Sequence, residues 1–564
     1  MRLLALSVPV LLVACDGGNG DKDTSPLDDT GIDSGIDSGE TADTGEDTGE
    51  TADTAPDPTL DCAALGLPSV AFIDATDDAA LGALAADFTV ETTAGPWNLK
   101  ERWSGCFSIL VIPDQPRQAT GWPDELWEQA RDNRDLFEAL PKNVEVFFVS
   151  DERDDKDRAA IIDEMAGRIE NAQGYLEPDD QAWWALHTHF ITERARSIDG
   201  WLGDTLQDPN WGTAIDRFQK IRYIGSFADP TRYLASEGWF EPNIEMAANE
   251  PAYYNFEAER EARLEAQGAT VLTLFNGEEV SDPSWAGVTG EAWVDLPDAA
   301  TMATFDTAEF DHALLCVGEG EYGTCPAWDY LNWAYLCDVE DSTVCTTEIG
   351  RWITTYHREG RWVTDVTGIL PLIKDGGRRR IVYYTQQPYN VYLSLRLYNV
   401  GRDAQPDSYI PMWTGGNFFG ETYNDRDPMT VTIPADATKV ELYSVISGHG
   451  GEAPYNCAEF CETDHHFYVN GTENVRTFEQ PGDNWGCMNV VGTEGTVPNQ
   501  YGTWWYGRNG WCPGKDVPAA AIDITDQIVP GAENIFDYEG YYEGQNYPST
   551  GATLLLTSWL VISR

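Results

Sequence analysis

Hydrophobic positions along this chain fall into two textures. Up to about residue 235, short apolar runs alternate with amphipathic stretches. Cys106-Phe-Ser-Ile-Leu-Val-Ile and Val144-Glu-Val-Phe-Phe-Val-Ser150 read as buried strands, and 126–139 and 158–172 carry apolar residues at helical spacing. His189-Phe-Ile-Thr and an amphipathic stretch at 215–224 follow. Strands alternating with helices predict an α/β domain over 61–235 with partly parallel pairing. A connecting helical segment is predicted at 236–267, strongly charged over 256–267. Beyond it the texture changes to short strands separated by Gly, Pro and Asp turns. Thr270-Val-Leu-Thr-Leu-Phe, Glu291-Ala-Trp-Val-Asp-Leu, Arg380-Ile-Val-Tyr-Tyr-Thr and Tyr392-Leu-Ser-Leu-Arg-Leu-Tyr are examples. This spacing predicts two antiparallel β-sandwich modules, 268–400 and 401–564, the second closing on the apolar run 553–562. The expected fold is therefore multidomain, α/β first and all-β after.

Length agrees, since 564 residues suggest about three or four domains. The ends of the chain add to this picture. Residues 1–15 combine Arg2, an apolar run and Leu12-Val13-Ala14-Cys15, the pattern of a secretion signal resembling the bacterial lipobox, with Cys15 as the lipidated residue. Residues 16–60 form a low-complexity acidic linker. Between 16 and 58 there are fourteen acids against Lys22, with Gly, Ser and Thr between them, so nothing there offsets the entropy of ordering. The expectation is a disordered tether from an extracytoplasmic, lipid-anchored membrane position, outer membrane or cell surface. The formal net charge of −60, with no basic stripe, excludes a nucleic-acid partner held by phosphate contacts. A monomer is expected.

A secreted chain makes disulfides of the remaining cysteines. Neighbouring cysteines suggest the pairs Cys62–Cys106, Cys316–Cys325, Cys337–Cys345, Cys457–Cys461 and Cys487–Cys512, one connectivity among many. The stretch Ser447 to Cys461, SGHGGEAPYNCAEFC, stands apart, because two cysteines four positions apart bracket Glu459. So small a ring gains only about 2 kcal/mol from loop closure, and what it does well is fix a carboxylate.

Three clusters in the β half can carry chemistry. They are Cys316-VGEGEYGT-Cys325-Pro-Ala-Trp328-Asp329-Tyr330, the stretch around Glu459, and Arg508-Asn-Gly-Trp511-Cys512-Pro-Gly514. Taken singly, an Asp after a Trp often caps backbone N–H groups, a lone Glu is a surface acid, and an Arg is a rim salt-bridge partner. Together, in this order, they resemble the motifs of the peptide:N-glycosidase F family, bacterial glycoasparagine amidases built from two jelly-roll domains. The disulfide loop leading to Trp328-Asp329, the strand Gly350-Arg-Trp-Ile-Thr-Thr-Tyr356, Cys457-Ala-Glu-Phe-Cys461 and Gly510-Trp-Cys-Pro-Gly514 carry the resemblance across about 268–564.

That resemblance implies Asp329 and Glu459 as catalytic carboxylates acting on the glycan–asparagine amide, with Arg508 at the substrate. It also implies Trp328, Tyr330, Gln386, Trp511 and His449 as substrate-binding residues, N-glycosylated peptides or proteins as partners, and no metal or cofactor. Two positions depart from the family: Tyr330 stands where the family has an arginine, and Gln386 where it has a glutamate. Both keep hydrogen-bonding capacity and lose charge. These departures motivate an alternative, a non-catalytic glycan- or protein-binding lipoprotein on the same fold. A copper monooxygenase-like reading is weaker. His449, His465 and His466 lie near the motifs, but His465 and His466 point to opposite faces of a strand. Trp485, Trp504, Trp505 and Tyr506 are candidate sugar-stacking walls.

The α/β domain resembles the thioredoxin-like fold, peroxiredoxin-type at its opening. Where an active member carries CxxC, this chain has Pro113-Asp-Gln-Pro116, so a structural or docking role is expected in place of redox catalysis.

Overall fold

The computed structural model describes residues 62–564 except 115–125, 208–211, 225–227, 235–238, 282–289, 319, 340, 452–456, 500 and 549, with backbone alone at 228–234, 239–242, 421 and 457. The expected lipidation site Cys15 and the acidic stretch 16–60 lie outside the described residues.

The first domain is built on a seven-stranded mixed sheet. Its order is Gly95–Asn98, Thr89–Thr92, Thr188–Ile191, Val144–Val149, Ser108–Pro113, Thr213–Ile215, Ile221–Tyr223. The middle three strands run parallel and the outer ones antiparallel. Every residue of Ser108–Pro113 and Val144–Val149 is buried, as a strand covered on both faces requires. The helices Ala130–Ala139, Asp155–Gln173 and Pro178–His187 follow these strands, and Asp154 caps the second by accepting from Lys156 N and Asp157 N. Two expectations shift. Cys106 sits two residues before its strand, disulfide-bonded to Cys62 with Cα atoms 5.8 Å apart. The amphipathic stretch 215–224 folds back as a hairpin about Asp216, with Gln219 at φ +61°.

The connecting segment is not helical throughout. It begins with the hairpin Ala228–Leu234 and Trp239–Pro242, then enters the helix Asn249–Ala266. That helix starts earlier than its charged part suggests. Pro251 is tolerated in the first turn, where its missing N–H has no intrahelical partner, and Tyr253 and Tyr254 are buried.

Two β domains follow, each of eight strands in two four-stranded antiparallel sheets. In the first, the sheet Thr270–Val280, Tyr389–Tyr398, Thr307–Leu315, Gly360–Asp365 faces the sheet Gly290–Asp298, Gly376–Thr385, Leu331–Leu336, Thr347–Ile353. In the second, Pro406–Asn417, Ala552–Ser563, Lys439–Gly450, Ala520–Asp523 faces Met429–Thr432, Glu533–Tyr542, Thr463–Val469, Thr472–Arg476. Numbering each eight in chain order gives 1-8-3-6 over 2-7-4-5 in both, the double Greek key of a jelly roll. Alternation drives the packing: Ala292, Val294 and Leu296 point inward while Glu291, Trp293 and Asp295 face out. Facing sheets meet through aromatic pairs, Phe310–Trp352 at 6.0 Å in the first roll and Trp413–Tyr538 at 5.7 Å in the second. A separate buried cluster, including Leu331, Ile353, Val445, Trp511, Trp559 and Val561, seals the two rolls together. The candidate site lies beside this seam.

Candidate functional site at the jelly-roll seam

Asp329 lies between a disulfide and a strand. Cys316–Cys325 closes the loop before it, and Leu331–Leu336 begins two residues after it. Thr354 clamps the intervening turn from both sides. Its hydroxyl accepts from Tyr330 N (2.7 Å) and donates to the Trp328 carbonyl (2.7 Å), and its own N–H reaches Tyr330 O (2.9 Å). Two residues on, Tyr356 donates its hydroxyl to Asp329 Oδ2 at 2.8 Å. A Cβ on Gly502, which sits at φ +66°, would fall 2.6 Å from the Tyr356 ring, so this glycine makes room for the donor.

Glu459 comes from the other jelly roll, in the short turn of helix Cys457–Phe460. That turn is zipped to the 507–512 loop: Asn509 N donates to Glu459 O (2.7 Å) and Asn509 Nδ2 to Ala458 O (3.0 Å). Gly448 donates to Asn509 O (2.9 Å) and accepts from Trp511 Nε1 (2.7 Å). A Cβ on Gly448 would lie 1.9 Å from the Ala458 carbonyl, which explains a glycine there. Cys487–Cys512 anchors the loop's far end, and Cys461 is disulfide-bonded. The side chain of its expected partner Cys457 is outside the described residues.

Arg508 joins the two acids. Its guanidinium is fixed by the Thr503 and Tyr506 carbonyls (3.1 and 2.7 Å) and the Thr503 hydroxyl (2.8 Å), between the rings of Phe460 (4.6 Å) and Trp511 (5.4 Å). Held so, it presents Nη2 3.9 Å from Asp329 Oδ2 and Nε 3.3 Å from Glu459 Oε1. Neither is an aligned hydrogen bond, and Nε is buried without one. Arg508 is 1% exposed, against 18% for Asp329 and 20% for Glu459, so the acids open to solvent above a buried cation.

Burial raises both carboxyls. Asp329 is pushed above its ordinary range, opposed by Arg508 and the Tyr356 hydroxyl. Glu459 is pushed up to about 6 by burial, with Arg508 opposing and Asp329 adding to the rise. Arg508 itself stays charged: burial works against it, and Tyr356 and the two acids outweigh the burial. Two raised carboxyls beside a fixed cation can divide base and acid work.

The other candidates separate. Trp328 is 53% exposed beside Asp329 and free to meet a ligand, and Tyr330 is half-buried next to it. Gln386 is buried just past Gly376–Thr385, where the ladder pairing Asn332 with Thr385 would bring it opposite Leu331. Trp511 is buried and hydrogen-bonded, so it backs Arg508 and does not offer a face to substrate. His449 stacks on Trp511 (4.9 Å) and binds Ser447 Oγ (2.8 Å); burial, then Arg351 and Arg508, lower it to about 3, so it is neutral. Trp504 and Trp505, expected as sugar walls, are core residues packed against each other at 6.4 Å. His465 is buried between Thr463 and Tyr538, while His466 faces outward to Glu473. Tyr356 was missed by sequence reading as a site residue, although it ends the quoted Gly350–Tyr356 motif. A cavity of about 540 Å³ lies elsewhere, lined by Phe218, Arg222, Tyr253, Glu257, Glu321 and Glu359 among others. None of the three site groups lines it.

Two jelly rolls with two acids gathered round one arginine at their seam define the class of the β half. Residues 420–561 match the family model described as Peptide-N-glycosidase F, C terminal. The peptide-N(4)-(N-acetyl-beta-D-glucosaminyl)asparagine amidase F of Elizabethkingia miricola is 27% identical over 256 residues, 40% of this chain and 66% of the relative's own length, just under two thirds. A crystal structure of peptide-N(4)-(N-acetyl-beta-D-glucosaminyl) asparagine amidase is similar at 19% identity and a TM-score of 0.44, covering 52% of this chain and 96% of that one. The structure titled PNGase F, a glycosylasparaginase from Flavobacterium meningosepticum, is similar to the same extent, 19% identity and a TM-score of 0.44. In its β half, the chain is similar to the peptide:N-glycosidase F family.

Proposed function

We propose that this protein hydrolyses the amide bond between an N-linked glycan and its asparagine, giving an aspartyl peptide and a glycosylamine. The observation that carries the reading is the bridging of Asp329 and Glu459, from different jelly rolls, by one buried arginine. In this reading Asp329 activates water, with Arg508 and Tyr356 opposing the burial that raises its carboxyl. Arg508 also stabilises the negative charge that develops on the amide oxygen. Glu459 orders water and the first sugar, and Trp328 offers an exposed ring for stacking. Tyr330 and Gln386 retune the glycan accepted without removing the central three groups.

The remaining expectations join this proposal: a lipid anchor at Cys15, an acidic spacer, an extracytoplasmic position, a monomeric state and a thioredoxin-like first domain without redox activity. The strand order of that domain and the engagement of Cys106 with Cys62 support the last. The test is incubation with a denatured N-glycoprotein. Released glycan and conversion of the glycosylated asparagine to aspartate are expected. No release, or equal release by Asp329→Asn, would leave the binding-protein reading in its place.

A further inference from the structure

We infer that Arg222, in the α/β domain, is a positioning residue for the seam site, holding through Glu321 and Arg358 the two loops that carry Asp329 and Tyr356. The inference rests on reading that site as an amidase centre.

The two loops are hydrogen-bonded to each other along their length. The disulfide loop 316–325 and the turn 355–359 are pinned by Gly323 N to His357 O (2.8 Å), His357 N to Pro326 O (3.0 Å) and Glu359 N to Glu321 O (3.1 Å). His357 takes φ +52°, a left-handed conformation that a side-chain-bearing residue adopts only where its surroundings enforce it. Tyr356 directly precedes His357, and Asp329 stands three residues beyond Pro326. Whatever fixes this pair of loops fixes the hydrogen bond between the acid and its donor.

The fixing charges converge on Glu321. Arg222 grips it with two bonds, Nε to Oε2 and Nη2 to Oε1, both 2.8 Å, and Arg358 Nε adds a third at 2.8 Å. Arg358 in turn forks onto Glu250 of the connecting helix (2.8 and 3.0 Å), and its Nη1 also reaches the Pro498 carbonyl in the second jelly roll. Arg222 is held from behind by Asp216 and Glu257, each at 2.9 Å. Arg358 and Glu250 are fully buried, so these bonds act where water screens little. The first domain therefore reaches the catalytic loop through a planar fork, beside the ring contact of Tyr223 with Tyr322 at 5.5 Å. A displacement of about 1 Å at a reacting carboxylate lowers rate by about a hundredfold.

Arg222→Lys tests this in the full chain, because it keeps the charge and removes the fork. On a glycopeptide, kcat is expected to fall about ten- to a hundredfold, with KM within about threefold of wild type. The acid limb of kcat/KM should move upward, as is also expected for Tyr356→Phe, which removes the same hydrogen bond directly. Amide hydrogen exchange should quicken over 322–330 and 355–359 and stay unchanged over 463–469. Unchanged exchange in the two loops would overturn the inference. So would faster exchange with kcat and the acid limb unmoved, the mark of a merely structural contact. If Arg222→Lys fails to fold, Glu321→Gln reads the same quantities with the shape preserved. If the unmodified chain releases no glycan, the proposed activity fails, and the exchange comparison still decides the positioning.

Discussion

Arg358 and Arg508 are both buried arginines that face two carboxylates, and they differ in how closely the charges are matched. Arg358 meets Glu250 and Glu321 through bonds of 2.8 to 3.0 Å, and Glu321, gripped also by Arg222, is held down at about 2. Burial alone would raise Glu321; the two guanidiniums reverse that. Arg508 stands 3.3 and 3.9 Å from its acids, spends its best hydrogen bonds on backbone carbonyls, and leaves Glu459 raised to about 6. The same groups thus make a scaffold where they are saturated and, in the proposed reading, a reactive site where they are not. An unsatisfied buried polar group is costly and persists where function uses it.

The comparison breaks most visibly at Asp329. Asp329→Asn should lower glycan release by about a thousandfold or more, with the melting temperature unchanged or higher. Arg508→Met should lower release by about a hundred- to a thousandfold, measured as kcat on a glycopeptide. Arg358→Met should act the other way round, destabilising by about 3–5 kcal/mol in denaturant because it strands Glu250 and Glu321 in the interior. If both arginine variants lost the same stability, the division between scaffold and site would fall.

Smaller effects sharpen the contrast. Tyr356→Phe should lower kcat about tenfold and shift the acid limb of the pH profile upward, since its hydroxyl lowers the Asp329 pKa. Glu459→Gln addresses stability. The folded pKa of Glu459 is raised from 4.5 to about 6, so its contribution is most favourable below pH 4.5 and is lost as pH rises through 6. The Gln variant should therefore gain on the order of 2 kcal/mol at pH 7, with the gain fading to roughly nothing well below the unfolded pKa. Glu321, with its pKa lowered, runs oppositely: its contribution is present above pH 4.5 and is lost as pH falls toward 2.

What the amino-acid sequence disclosed follows the same division. Asp329, Glu459 and Arg508 each sit in a short motif with glycines and cysteines around it, because a fixed turn needs local residues of special kind. The jelly-roll strands were legible because inward and outward positions alternate, as over 290–298. The scaffold was not legible. Arg222 and Glu321 are 99 positions apart, Arg358 and Glu250 are 108, and nothing local marks either pair. Burial was also hidden at Trp504, Trp505 and Trp511, since an indole beside glycines reads equally as a wall or as core. The connecting segment was read as helical over 236–267, whereas Trp239–Pro242 pairs as a strand and the helix begins at Asn249, a boundary that nothing local marks.

The most direct test of the central claim follows the fate of one glycosylated asparagine. A denatured N-glycopeptide is incubated with the chain and with its Asp329→Asn variant, and the peptide product is sequenced by mass spectrometry. Aspartate is expected at that position with the wild-type chain, and intact glycosylated asparagine with the variant. Intact substrate with both, or aspartate with both, would contradict the claim.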